Sequence, residues 1–331
     1  MKTGKISESI LKRSVLRQIQ THRDEVLKGA GVGEDCGCLS WKPELKEKQR
    51  ILAFSTETVA LPVKEASYLA VMAAANNLAA SGACPVAVSL ALTLPAQAEE
   101  SLLKELMRHA QTCCKELDIQ IAGGHTEVSN GVGTPVVTAT VLGNGIPEGA
   151  YGSRPENLEI VVSKWAGMEG TFLIAGEREE ELLKRYPSEL ILKAREQGKF
   201  LSVAPEAARA IKSGVYAMHD VRCGGIFGAL WEISQKLGTG LCADIKKIPI
   251  KQETIEVCEF YNLNPYEILS GGMLLMVTRE GGKLVRTLAE KGIPAAVIGN
   301  MNDSNDKIVV NRDDVRYLGP PLSYEIHKLF L

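Results

Sequence analysis

The chain has 331 residues, 38 basic and 40 acidic, for a formal charge of −2. Near-neutrality argues against nucleic-acid binding through bulk positive charge; no run approaches the ~18 apolar residues of a membrane span, and the basic start lacks the apolar core of a secretory signal. Length over roughly 150 suggests two domains, and a 45% hydrophobic content supplies both cores, so the expectation is a cytoplasmic protein that engages neither nucleic acid nor membrane.

Residues 7–28 read as a helix ending near Gly29, followed by a glycine-rich loop through Gly37 and a strand over 50–56. Residues 64–81 form an Ala-rich helix, since Ala is the best helix former and packs closely on a sheet; Gly82 stops it and Pro85 follows. A strand over 86–92, an amphipathic helix over 98–117 and strands over 119–122 and 134–142 complete a sheet backed by helices on one face. The stretch 143–155, dense in Gly and Pro, is the best boundary, giving domains 1–150 and 151–331.

The second half repeats the alternation. Strands are expected over 159–163, 215–219, 241–243, 273–277, 295–299 and 307–310. Helices are expected over 167–177, 205–213, 223–237, 251–261 and 281–291, with a charged helical stretch over 179–198. The polar run 302–306 reads as a hairpin turn between the last two strands. The fold class is α/β (α+β) in two domains. Of the eight cysteines only Cys36 with Cys38 and Cys113 with Cys114 are close, without zinc-site spacing, so they read as reduced, mostly buried thiols.

Five motifs place polar residues at turns or expected strand ends. Gly31, Gly33, Glu34, Asp35 and Gly37 form a loop whose glycines let a backbone approach phosphate oxygens, with Asp35 able to hold a divalent cation beside them. No Gly-Lys-Ser/Thr follows, so it is not a Walker loop. Glu57 ends the 50–56 region, placed for a metal or for a solvated strand end. Asn76 and Asn77 lie inside the Ala-rich helix, costly unless hydrogen-bonded; a cap and a ligand contact both explain them. Gly123, Gly124, His125, Thr126 and Glu127 follow a strand. His219, Asp220, Arg222, Cys223, Gly224 and Gly225 lead from a strand to a helix N-terminus suited to an anion.

Together these five resemble the aminoimidazole ribonucleotide synthetase (PurM) superfamily, also called AIR synthase-related. It includes selenophosphate synthetase, thiamine-monophosphate kinase and the HypE hydrogenase maturation factors. Gly33, Glu34 and Asp35 match its Gly-Asp/Glu-Asp loop. Ser55, Thr56 and Glu57 match its Ser-Thr-Asp, and Asn77, Gly82, Ala83 and Pro85 its Asp-x4-Gly-Ala-x-Pro. Gly123 to Thr126 match Gly-Gly-Asp/Glu/His-Thr, and His219, Asp220, Gly224 and Gly225 match His-Asp-x-x-x-Gly-Gly.

The resemblance implies an N-terminal sheet that forms a barrel across a homodimer and a C-terminal α/β sandwich. It implies ATP and Mg²⁺ as cofactors and phosphoryl transfer to an oxygen of a small amide or acid acceptor. ATP contacts fall on Gly31, Gly33, Glu34, Asp35, Asn77, Gly123, Gly124, Thr126, Arg222 and Gly224. Metal contacts fall on Asp35, Glu57 and Asp220, and catalytic roles on His125, His219 and Asp220. The closest branch resembled is that of HypE, which implies a link to hydrogenase maturation and a maturation partner protein. Departures are Glu57 and Asn77 where the family has Asp, Arg222 and Cys223 where it has Thr-Glu, and no cysteine after Cys258 to act as the branch's carbamoyl carrier. The alternative expectation is a nucleotide-binding regulatory or scaffold protein with weakened catalysis.

Overall fold

The computed structural model describes residues 8–10, 12, 26–28, 31–34, 37–41, 50–145, 157–321 and 325–330. The chain divides into two compact units. The N-terminal unit comprises His22–Ala30, Asp35–Glu148 and Phe330–Leu331; the C-terminal unit comprises Met1–Thr21, Gly31–Glu34 and Gly149–Leu329. A helical turn α1 (Glu8–Ile10) therefore belongs to the C-terminal unit.

The N-terminal unit holds β1 (Val26–Lys28), β2 (Gly37–Trp41), β3 (Arg50–Val59), α2 (Ala66–Ala80), β4 (Ala83–Pro95), α3 (Glu100–Leu117), β5 (Gln120–Ser129) and β6 (Val136–Gly145). The sheet order is β1-β2-β3-β6-β4-β5, antiparallel except for the β4–β5 pair, whose parallel crossover is made by α3. Helix α2, rich in Ala, packs on β3, β4 and β6 and is covered by α3, so nearly every α2 side chain is buried. Helices thus back one face, as expected, and the other carries exposed residues such as Phe54 and the Thr56 and Thr58 hydroxyls. The sheet is open within one chain, with β1 and β5 at its edges.

Three expectations need correction here. The 7–28 helix is not found where the chain is described: Glu8–Ile10 is helical, but Val26–Lys28 is a strand paired antiparallel with β2. Strand β3 runs on through Glu57 to Val59, and β5 runs through Gly123, His125 and Glu127 to Ser129. Their polar residues are therefore strand positions rather than strand-end loops. Pro85 lies inside β4, tolerated at a register shift between Pro85 and Ala87.

The C-terminal unit continues with β7 (Glu159–Ser163), α4 (Met168–Glu177), α5 (Glu179–Leu182), α6 (Ser188–Glu196) and α7 (Ala204–Lys212). Then come β8 (Ala217–Val221), α8 (Gly225–Leu237), β9 (Gly240–Asp244), α9 (Gln252–Phe260) and β10 (Met273–Thr278). Helix α10 (Gly281–Ala289), β11 (Ala295–Asn302), β12 (Lys307–Asn311), β13 (Asp314–Tyr317) and α11 (His327–Phe330) follow. The sheet order is β13-β12-β9-β11-β7-β10-β8. Strands β8 and β10 are buried along their whole length and β7 nearly so, β7 and β10 as central strands covered on both faces and β8 although it ends the sheet.

The expected hairpin through 302–306 does not form, because β9 lies between β11 and β12 and pairs with both. The true hairpin joins β12 to β13, which the sequence reading missed. The charged 179–198 stretch is also broken, into α5, α6 and a 3₁₀ turn.

Candidate functional site

In the N-terminal unit Asn77, on α2, donates its amide hydrogens to Ser55 Oγ and Glu57 Oε1, both at 3.0 Å. Ser55 and Glu57 are two apart on β3 and so face α2 together. Asn77 thus ties the helix to two polar strand positions. Register extends this row across the sheet, since Glu57 pairs with Ala139, Ala139 with Leu90 and Leu90 with Gly124. Gly124 has φ +152°, and a Cβ there would lie 1.9 Å from the Leu90 carbonyl oxygen, so glycine is obligatory.

The neighbouring row, Thr58–Thr138–Ala91–His125, lies on the opposite face. There Thr58 and Thr138 hydroxyls meet at 2.9 Å, as do those of Thr56 and Thr140. His125 Nε2 lies 3.6 Å from Glu127 Oε2, both side chains exposed, and Thr93 donates to Glu127 at 3.3 Å. Within one chain the sheet therefore separates His125 and Gly123 from Glu57, Asn77, Gly124 and Thr126.

In the C-terminal unit, His219 and Asp220 are consecutive strand residues and so point to opposite faces of β8. His219 Nε2 lies 3.0 Å from Glu232 Oε2 of α8, the two side chains 5% and 12% exposed. Asp220 pairs with Leu274, whose N–H donates to Ser163 Oγ. Ser163 in turn donates to Glu206 Oε1 of α7 at 3.1 Å. Lys164, held in the left-handed region at φ 55°, spends its ammonium on the Phe200 and Ser202 carbonyls and on Glu206 at 2.6 Å. Burial pushes the Lys164 ammonium below its ordinary range, opposed by the charges of Glu206 and Asp220. Asp220 thus sits in the field of a buried lysine.

Arg222 makes a fork on Glu169 of α4, with Nε and Nη2 bonds of 2.9–3.2 Å. Glu169 is 2% exposed and Arg222 10%. The guanidinium that the sequence offers to a phosphate is thereby committed to a buried carboxylate. Gly271 makes room for it, since a Cβ there would lie 2.3 Å from Glu169 Oε2.

The described part of the glycine loop, residues 31–34, packs on α8. Gly33 has φ +74°, and a Cβ would come within 2.6 Å of the Glu232 carbonyl oxygen. Its glycine therefore has a packing reason in addition to any phosphate contact. Gly31 and Glu34 flank it, half-buried, and Asp35 lies outside the described residues. At the start of α8, Gly224 and Gly225 have φ +76° and +60°, and a Cβ on Gly225 would meet the Tyr266 carbonyl at 2.3 Å.

Glu169, Glu206, Glu232 and Lys164 were missed in the sequence. The signal is a lone carboxylate in an apolar helical run: Glu169 in AGMEGTFLIAG, Glu206 in VAPEAA, Glu232 in GALWEIS. Such an acid has no solvent face and must find a buried partner. Among the described residues no three His, Cys, Asp or Glu side chains gather as a metal site. The donors at Glu57 are nonetheless chemically suited to a hard cation, with the Glu57 carboxylate and Ser55 hydroxyl held together by Asn77. The seven described cysteines are free thiols, and burial pushes Cys258 up to about 12 and Cys114 up to about 11. Among the described residues no helix is long and apolar enough to cross a membrane.

Residues 33–144 match the family model of the AIR synthase related protein, N-terminal domain, and residues 159–311 match that of its C-terminal domain. A putative hydrogenase expression/formation protein of Methanocaldococcus jannaschii is 23% identical over 93% of this chain and 91% of its own length. The carbamoyl dehydratase HypE of Rhodobacter capsulatus is 27% identical over 77% of this chain and 76% of its own. Among solved structures, one of a HypE–HypF complex superposes with a TM-score of 0.72, at 18% identity over 95% of this chain and 100% of that one. The hydrogenase maturation protein HypE in complex with ATP superposes with a TM-score of 0.68, at 18% identity over 98% of both chains. These likenesses agree with the two-unit α/β architecture described above.

Proposed function

This chain belongs to the AIR synthase related family, and on that premise we propose that it is an ATP- and Mg²⁺-dependent enzyme acting in hydrogenase maturation. It transfers a phosphoryl group to an oxygen of a small amide or acid acceptor. The observation that carries this reading is that both family models match, in order, over 33–144 and 159–311, and so include the polar motifs of both halves apart from Gly31. The ATP bound by the HypE structural neighbour and the carbamoyl dehydratase activity named for the Rhodobacter relative support it.

Phosphoryl transfer needs positioning and charge neutralisation more than covalent help from the protein. When bound, Mg²⁺ neutralises phosphate oxygens and holds them in place. In the N-terminal unit Glu57, fixed by Asn77, would supply a carboxylate oxygen to the metal, and Asp35 would be a second acid for it. On β5, Gly124 and Thr126 share the Glu57 face and offer backbone and a hydroxyl to the nucleotide, whereas His125 and Gly123 lie on the opposite face and would serve only from that side. In the C-terminal unit Asp220 would be an acid available to a cation. Gly31, Gly33 and Glu34 approach the phosphates, and Gly224 turns the chain into the α8 N-terminus, whose N–H groups favour anions. Arg222 acts on this turn through Glu169 rather than as a free phosphate ligand.

The exposed β-face with its threonine rows, the exposed Phe54, Val86 and Val128 and the open β5 edge support a homodimer joined through the N-terminal sheets. The HypE–HypF neighbour supports a maturation partner protein.

The test is ADP release by the purified chain with ATP, Mg²⁺ and a panel of amide, carbamoyl and carboxylate acceptors. Acceptor-dependent turnover that Asp35→Asn abolishes is expected. ATP binding without turnover for any acceptor would favour the nucleotide-binding regulatory or scaffold reading, for which the commitment of Arg222 to Glu169 is the structural argument.

A further inference from the structure

The contact between α8 and β8 has a geometry that local packing alone does not require. Glu232 is on a helix whose other inward residues, Ile226, Ala229, Leu230 and Ile233, are apolar and buried. An acid at that place is costly unless it makes a specific bond. One of its two carboxylate oxygens, Oε2, lies 3.0 Å from His219 Nε2, and both side chains are largely withdrawn from water. The same residue's backbone carbonyl is the surface over which Gly33 passes, at a distance that excludes any side chain. One turn of α8 therefore touches both the glycine loop and the β8 histidine.

We propose that Glu232 is a positioning residue: its carboxylate fixes the ring orientation and tautomer of His219, while its carbonyl sets the register of the glycine loop against the same helix. A carboxylate only accepts hydrogen bonds, so Nε2 carries the hydrogen, and whenever the ring is neutral that fixes the Nε2–H tautomer. A histidine held this way has a fixed ring orientation, the arrangement by which an acid orients a functional imidazole. The kinetic part of this inference rests on the phosphoryl-transfer reading above; the structural part does not.

The experiment is performed on the full chain with Glu232→Ala and Glu232→Gln, the second keeping an acceptor oxygen of the same reach. Imidazole nitrogen NMR, with the His219 signals assigned by their loss in His219→Gln, reads the tautomer. ADP release reads kcat and the KM for ATP. Expected are a single Nε2–H tautomer in the unaltered chain and in Glu232→Gln, and a tautomer mixture in Glu232→Ala. In Glu232→Ala, kcat should fall on the order of 10- to 100-fold while KM changes less than about twofold, with Glu232→Gln recovering a substantial part. If Glu232→Ala does not fold, Glu232→Gln still decides, because a tautomer mixture in that folded variant overturns the proposal. An unchanged His219 spectrum and unchanged kcat in folded Glu232→Ala also overturn it. An unaltered chain that never turns over ATP sinks the enzymatic reading instead, and the NMR arm then settles the role of Glu232.

Discussion

In the N-terminal unit the polar groups at issue are hydroxyls, an amide and single carboxylates on or near a sheet surface: Ser55, Glu57 and Asn77 under α2, Thr58, Thr138 and His125 on the bare face. In the C-terminal unit they are ionisable groups buried in pairs: Lys164 with Glu206 and Arg222 with Glu169 as ion pairs, and His219 hydrogen-bonded to Glu232. A buried charge must be matched inside the protein, because desolvation is too costly to leave it alone. The C-terminal unit has therefore tied Lys164, Glu206, Arg222 and Glu169 into its own framework, and changes at these residues act first on folding. The N-terminal unit keeps polar groups that a cation or a second sheet can still engage, and changes there act first on binding.

The largest effect that sharpens this contrast is expected from Arg222→Ala. It strands Glu169 in a buried position, and loss of one member of a buried pair costs about 3–5 kcal/mol. Denaturant unfolding should show that loss, and Arg222→Met with Glu169→Leu should recover most of it. A loss under about 1 kcal/mol for Arg222→Ala would break the contrast, since that is the range of exposed pairs.

Next comes Asn77→Asp, which puts a second carboxylate beside Glu57. Without metal the like charges should lower stability by about 1 kcal/mol, the centre of the range for point mutations. Added Mg²⁺ should raise the melting temperature of this variant more than that of the unaltered chain. Equal responses would mean that Glu57 does not face a cation.

A smaller effect is expected from Thr58→Ala with Thr138→Ala. Cross-strand hydroxyl pairs contribute roughly 0.2–1 kcal/mol, so stability should barely move. The proportion of dimer at a given concentration, read by analytical ultracentrifugation, should fall if this face is the one that pairs.

The smallest concerns α1, whose Glu8 accepts from the Trp231 indole at 3.0 Å, with Lys307 over the same ring. Burial alone would raise the Glu8 carboxyl, but bonds from Lys12 and Trp231 and the charge of Lys307 hold it below the usual range. A depressed carboxyl stabilises fully above its unfolded value near 4.5 and loses that contribution as pH falls through the folded one. Trp231 emission, isolated by subtracting the Trp231→Phe spectrum, should therefore change below about pH 4.5 and stay constant above it. A transition near neutrality would contradict the assignment.

Much of the architecture was legible because apolar runs and the Ala-rich helix carry period and length signals: 64–81 against α2, 98–117 against α3 and 273–277 against β10. Strand β5 was truncated on paper because Gly123, His125 and Glu127 look like a loop. A strand exposed on both faces has no burial pattern to read. The false hairpin at 302–306 arose because neighbours in sequence need not pair, and β9 takes the place between them. At the site, the motifs pointed to His219 and Asp220, but strand alternation parts them. Their partners Glu232 and Lys164 come from distant segments that no local pattern links. The fate of Arg222 was likewise invisible, since Glu169 is 53 residues away.

The most direct measurement is calorimetric titration of the full chain with ATP in the presence of Mg²⁺, repeated with EDTA. The structure and the family membership predict one saturable binding event per chain, with a Kd within the ~1 μM–1 mM range usual for enzyme substrates, weakened by Glu57→Gln and lost without metal. A flat isotherm with folded protein and Mg²⁺ present would contradict it.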